Sequence, residues 1–184
     1  MSESAAPLGI FGGTFDPLHV GHLRLAIEAR EALGLGEVRF VPAGNPPLRA
    51  APGTPAADRL AMVERALAGV AGFAVDSAEV RAAADGRPSY TVDSLERLRR
   101  ALEPDRPLVL LLGADAFARL DAWHRWRDLF DLAHIAVATR AGLSSFLELP
   151  LSPIKIGDWG AGIGPVMGAG CACCGCSGCC GPWF

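Results

Sequence analysis

The chain has no cysteine before Cys171 and, before Trp159, no uncharged apolar run of the roughly eighteen residues that a membrane span requires. The first absence fits a reducing compartment and leaves no disulfide framework to hold the body of the protein together. The second leaves nothing there that reads as a span. Lysine is almost missing, with Lys155 the sole one among 17 basic side chains. The net charge of −3 does not supply the basic surface that nucleic-acid binding by charge would need. Met1 to Pro7 is short and acidic, with no basic segment ahead of an apolar run, and so does not read as a secretory signal. These absences predict a soluble, cytoplasmic protein with no membrane and no nucleic-acid partner. Its 184 residues suffice for one domain with a sizeable core.

What is present concentrates in one stretch, Gly9-Ile10-Phe11-Gly12-Gly13-Thr14-Phe15-Asp16-Pro17-Leu18-His19-Val20-Gly21-His22. An apolar strand from Leu8 to Phe11 breaks at two glycines, turns at Asp16-Pro17 and enters a helix near Gly21. That helix has Leu23, Ala26, Ile27, Arg30 and Leu33 on one side and Gly34 to stop it. A strand, a glycine-rich turn and a helix N-terminus together form a phosphate cradle. The first N–H groups of the helix are unpaired, its dipole favours negative charge, and glycine lets a ligand approach the backbone. His19 and His22 are three residues apart, which sets both imidazoles on one side of the first turn, facing one anion. A zinc pair is a weaker reading of the same histidines, since no cysteine or other third ligand lies nearby in sequence.

Further along, strand-like runs alternate with helical patterns, which predicts an α/β fold with a doubly wound parallel sheet. Strands are expected at Glu37–Val41, Phe73–Val75, Ala78–Val80, Pro107–Gly113 and Ile135–Ala138. Between them, Thr54-Pro55 reads as an N-cap with proline at the first helical position. The helix that follows shows Leu60, Met62, Val63 and Leu67 and stops at Gly69. Another starts near Tyr90-Thr91 with Val92, Leu95 and Leu98 as its face. Ligands of such sheets bind beyond the C-terminal strand ends. The segments around Gly13, Pro42–Pro47, Gly113–Asp115 and Thr139-Arg140 are therefore expected on one edge.

The stretch Gly12-Gly13-Thr14-Phe15-Asp16-Pro17-x-His19-x-Gly21-His22 resembles the signature of nucleotidylyltransferases, and in particular of bacterial nicotinate-nucleotide adenylyltransferases. Later segments are similar to the same family: the proline-rich loop Pro42-Ala43-Gly44-Asn45-Pro46-Pro47, then Pro88-Ser89-Tyr90-Thr91, Gly113-Ala114-Asp115 and Trp123-His124. The resemblance implies a Rossmann-like fold and adenylyl transfer from ATP to nicotinate mononucleotide, giving deamido-NAD and pyrophosphate. Mg²⁺ would be held mainly by the ATP phosphates, with no protein metal cage. It implies His19 and His22 as the catalytic pair. Gly12, Gly13, Thr14, Phe15, Gly21, Gly113, Asp115 and Arg140 would bind ATP or phosphate. Asn45, Tyr90, Thr91, Trp123 and His124 would bind the pyridine nucleotide, while Asp16 shapes the turn. A homo-oligomer is left open.

Two features depart from the family pattern. Leu48 stands where a histidine usually follows the double proline, and Ser144-Ser145-Phe146 does not match the family's late Ser-Ser/Ala-Thr-x-Ile-Arg segment, which helps bind the triphosphate. From Trp159 to Phe184 no residue is charged, while glycine and cysteine dominate. We expect the catalytic domain to cover residues 1–156 and residues 157–184 to form a low-complexity tail outside it. A reading-frame change or sequence error near residues 141–152 accounts best for that tail; the alternatives are a divergent tail or a metal-binding one. The competing functional readings are a nucleotide-binding remnant without turnover, or a related adenylyltransferase acting on nicotinamide mononucleotide or phosphopantetheine.

Overall fold

The computed structural model describes residues 5–48, 52–103 and 105–138, and the backbone of 146–148. Its sheet is built from β1 (Leu8–Gly13), β2 (Glu37–Pro42), β3 (Phe73–Val75), β4 (Leu108–Gly113), β5 (His134–Ala138) and β6 (Phe146–Glu148), in the order β3-β2-β1-β4-β5-β6. The first five strands are parallel, and β6 adds to β5 as an antiparallel edge. The expected doubly wound sheet is therefore present, with an added strand that the short Phe146–Glu148 run did not announce. The chain builds outward from β1 to β3, then restarts at β4 on the other side of β1. That reversal puts the switch point, where ligands of such sheets bind, between β1 and β4.

Alternation along the strands sorts the apolar side chains into two cores. Leu108, Leu110 and Leu112 of β4 face one side with Leu8, Ile10, Ile135 and Val137, while Val109 and Leu111 face the other with Phe11, Val38 and Phe40. Helix α4 (Thr91–Ala101) covers the first side with Val92, Leu95 and Leu98, the face its sequence predicts. Helices α1 (Val20–Ala32) and α2 (Ala56–Leu67) cover the second. Among the described residues no helix is long and apolar enough to cross a membrane.

Several local expectations change. Ala78–Val80 is not a strand but the start of helix α3 (Ala78–Ala83). Asp76 closes the preceding strand because its carboxylate accepts the Ala78 N–H at 2.9 Å, and Ala-Glu-Val-Arg-Ala-Ala then favours a helix. In α2, Pro55 is itself the N-cap and Thr54 lies one residue before it, with no side-chain cap. In α1, Ala26 and Ala29 are buried while Ile27 is 44% exposed, because small side chains let the helix lie close to the sheet. Helix α1 begins at Val20 with His19 as its N-cap, slightly earlier than expected. Gly34 does follow α1 with φ +60°, a left-handed conformation that glycine adopts without strain. Arg140, Ser144-Ser145, the boundary at 156/157 and the glycine- and cysteine-rich tail lie outside the described residues.

Candidate active site

The parallel register brings Gly13 beside Pro42 and Gly113 beside Ala138, so four strand ends share one edge, as the motif positions require. Past the end of β1 the chain folds back sharply. Phe15 adopts φ +48° and buries its ring 5.6 Å from Phe11, 5.7 Å from Phe40 and 5.2 Å from His22. A side chain at Gly13 would meet that ring at 3.0 Å, which explains the glycine there, whereas Gly12 faces open space. Asp16 then accepts the Thr54 N–H at 3.2 Å, and a hydrogen bond from the Thr54 side chain leads the influences that hold its carboxyl below the usual range. It ties the turn to the approach to α2, in keeping with a shaping role.

The two histidines form a reciprocal cap. His19 Nδ1 accepts the Gly21 N–H at 3.2 Å, and the His19 N–H donates to His22 Nδ1 at 3.3 Å. Their rings stack with centroids 3.8 Å apart and planes 27° from parallel. A Cβ at Gly21 would come within 3.1 Å of the His19 ring, so glycine here makes room for the imidazole. Because each Nδ1 accepts a backbone N–H, each neutral ring carries its proton on Nε2 and can donate from there. Half-burial against Phe15 and Phe11, and secondarily the charge of His19, lower the His22 pKa to about 4, so this ring is neutral at pH 7. His19 is exposed. Two ring donors, stacked at the start of α1, suit an anion more than a metal.

A second region gathers segments distant in sequence. Ser89 Oγ accepts the N–H groups of Gly44 and Asn45, both at 3.0 Å, and the Ser89 N–H donates to the Asn45 carbonyl at 2.9 Å. The proline-rich loop and Pro88-Ser89-Tyr90-Thr91 are thus bound together. Beneath them Glu79 is half-buried and takes the Ser94 hydroxyl at 2.6 Å. Burial raises its pKa, partly offset by hydrogen bonds from Ser94 and Ser89. Gly44 sits so close to α3 that a Cβ would lie 2.3 Å from the Glu79 carbonyl. Tyr90, the N-cap of α4, lies ring to ring with His124, centroids 4.3 Å apart, and Thr91 is the first residue of α4. Trp123 is half-buried and packs against the core below α4. Gly113 is the N-cap of the four-residue helix α5 (Ala114–Phe117), which carries Asp115, and shares the edge with the others by strand register alone.

Two residues here, Arg59 and Glu79, have no place in the motifs read from the sequence, and Ser89 stands in one without a role for its side chain. Arg59 is 1% exposed and sits on the stripe of α2 shared with Val63 and Leu67. Its guanidinium donates to the Thr14 and Ala43 carbonyls at 2.6 Å, and to Gly44 and Thr54 at 3.1 Å. Burial draws its pKa below the ordinary guanidinium value, with Asp16 opposing. An arginine in step with two buried apolar residues, four and eight positions on, was the available signal. Glu79 offered none, since its partners lie on other elements, whereas Ser89 was signalled by the Pro88-Ser89-Tyr90-Thr91 motif.

Residues 10–159 match the cytidylyltransferase-like family. The chain belongs to that family. Within it, the chain is 61% identical over 142 residues to a Dechloromonas aromatica protein named "Probable nicotinate-nucleotide adenylyltransferase", covering 77% of this chain and 63% of the relative. It is 51% identical over 154 residues to a protein of the same name from Laribacter hongkongensis, covering 84% and 67%. The chain thus spans just under two thirds of the length of the first of these relatives. Among solved structures, the Plasmodium falciparum nicotinic acid mononucleotide adenylyltransferase complexed with NaAD superposes with a TM-score of 0.62 at 16% identity, over 76% of this chain and 67% of that one. That likeness supports the fold. The resemblance read from the motifs is borne out: the chain's relatives are nicotinate-nucleotide adenylyltransferases.

Proposed function

We propose that this chain transfers the adenylyl group of ATP to nicotinate mononucleotide, releasing pyrophosphate and giving deamido-NAD, a step of NAD biosynthesis, as a soluble enzyme of the cytoplasm. The observation that carries the reading is the stacked, mutually capped pair His19–His22 at the strand-to-helix corner. In the reaction a 5′-phosphate oxygen of the mononucleotide attacks the α-phosphorus of ATP in line. A new P–O bond forms as the bond to the β-phosphate breaks, and no covalent enzyme intermediate is required. Catalysis of this kind rests on aligning two anions and countering charge at phosphorus.

The Nε2–H groups of His19 and His22 serve as donors to the ATP phosphates, fixed in tautomer and direction by the backbone N–H groups behind them. As a neutral ring, His22 donates without first having to gain a proton. Gly12, Gly13, Thr14 and Phe15 offer backbone to the nucleotide, and Gly21 lets the His19 ring lie over the helix start. Gly113 and Asp115 are assigned to the ATP side from their motif positions, and Arg140 from its place just after the Ile135–Ala138 strand expected at the crevice edge. Magnesium enters with the triphosphate as part of the substrate, coordinated by phosphate oxygens and water.

On the other side, the ring of Trp123 offers a stacking face for the pyridine. Asn45, Tyr90, Thr91 and His124 line the same region, and the backbone around residues 88–91 supplies N–H groups suited to the carboxylate of nicotinate. That carboxylate distinguishes it from nicotinamide. The test is to incubate the purified chain with MgATP and nicotinate mononucleotide and to look for deamido-NAD by mass. Its formation supports the reading; ATP hydrolysis to other products, or no product in a folded sample, refutes it.

A further inference from the structure

A buried guanidinium is an expensive choice on the apolar stripe of a helix, where leucine or methionine would pack without desolvation. Arg59 occupies such a position, and no side-chain carboxylate hydrogen-bonds it among the described residues. All four of its hydrogen bonds end on main-chain carbonyls. Their distribution is informative. Thr14 belongs to the glycine-rich turn after β1, Ala43 and Gly44 belong to the proline-rich loop after β2, and Thr54 precedes α2. Two direct bonds join the same segments: the Ala43 N–H donates to the Gly13 carbonyl at 2.8 Å, and the Thr54 N–H donates to Asp16 at 3.2 Å. The Thr54 residue is therefore held from both sides, its N–H by Asp16 and its carbonyl by Arg59. Ser89 ties the far side of the proline-rich loop but reaches neither the glycine-rich turn nor α2 in these contacts.

We propose that Arg59 is a positioning residue that fixes the glycine-rich turn and the proline-rich loop relative to one another, so that the two nucleotides meet in line. It does so through both loops' carbonyls and touches neither substrate. The proposal rests on the adenylyl-transfer reading for the identity of the two ligands, while the mechanical coupling stands on the hydrogen bonds alone. A guanidinium suits the task because its planar fork presents several N–H groups at fixed angles, which the single ammonium of lysine cannot match.

The test compares the parent chain with Arg59→Met, Arg59→Lys and Ser89→Ala. MgATP and nicotinate mononucleotide are each titrated alone, at a temperature where every variant is folded by circular dichroism. Arg59→Met is expected to weaken both ligands by about tenfold or more, with Arg59→Lys between it and the parent. Ser89→Ala is expected to weaken only the mononucleotide. Amide exchange provides a readout that needs no ligand: Ala43 and Thr54 should lose protection together in both Arg59 variants, while amides of β4 and α4 keep theirs. If Arg59→Met fails to fold, Arg59→Lys carries the same comparisons. Loss of affinity for one nucleotide only, unchanged affinity for both, or deprotection of only one of the two amides overturns the proposal. A parent chain that binds neither nucleotide refutes the functional reading instead, and the exchange result then decides the coupling by itself.

Discussion

The two ends of the crevice are built differently. The phosphate end, from Gly12 to His22, is one continuous run whose histidine pair is made from neighbours: His19 caps Gly21, His22 takes the His19 N–H, and Phe15 folds back onto Phe11. Gly13, Thr14 and Asp16 are tied instead to Ala43, Arg59 and Thr54. The pyridine end is assembled from pieces more than 30 residues apart, with Ser89 reaching back to Gly44 and Asn45, and Tyr90 meeting His124. The histidine pair, made from local contacts, is fixed as soon as its helix and strand form. A site made from distant loops needs polar brackets, and here those are the half-buried Ser89 and Glu79, with the buried Arg59 tying the proline-rich loop to the glycine-rich turn. In the proposed reaction the first carries the chemistry, and the second lends itself to setting which substrate is accepted.

Changes at the two ends should therefore fail in different ways. The largest expected effect is at His22. Replacing it with alanine removes a preorganised donor at the reacting phosphate, and turnover should drop by roughly 100-fold or more with the melting transition retained. Steady-state kinetics beside a thermal melt checks this, and equal turnover in mutant and parent would remove His22 from the mechanism. Next, Trp123→Ala should raise KM for the pyridine mononucleotide about tenfold while leaving that for ATP nearly unchanged, as expected for lost stacking of about 1–1.5 kcal/mol. The opposite pattern would put the pyridine elsewhere. Ser89→Ala leaves the Gly44 and Asn45 N–H groups without their acceptor and should cost roughly 1–3 kcal/mol of stability, measurable by urea unfolding. No loss would mean the bracket is dispensable.

The smallest effect concerns pH. The folded pKa of His22, about 4, lies below the ordinary value of 6.5, so between these limits the unfolded chain binds more protons at this residue than the folded one. Its contribution to stability is thus complete above pH 6.5 and declines as pH falls toward 4. Urea unfolding at several pH values should show a shallower acid loss in His22→Ala than in the parent. Superimposable profiles would contradict the half-buried neutral ring.

The same contrast explains how much could be read from the residues in order. The sheet was legible because Leu108–Gly113 is apolar on both faces and the β-α alternation is regular. The phosphate end was legible because a strand, glycines and a helix cap carry their meaning within one window. Ala78–Val80 misled because a short mixed run has no periodicity to separate strand from helix, and a single Asp76 hydrogen bond decided the outcome. Arg59 was passed over because three of its four acceptor carbonyls, on Thr14, Ala43 and Gly44, lie in loops distant in sequence from residue 59. Gly21 was placed on the ATP side by its motif, and the structure adds that a Cβ there would come within 3.1 Å of the His19 ring.

The most direct test of the whole account is the rate of pyrophosphate release from MgATP by the purified chain, with nicotinate mononucleotide and nicotinamide mononucleotide compared side by side. The account predicts release with both ligands present in the site and a strong preference for the nicotinate form. Equal rates with the two, or no release with either from a folded chain, would contradict it.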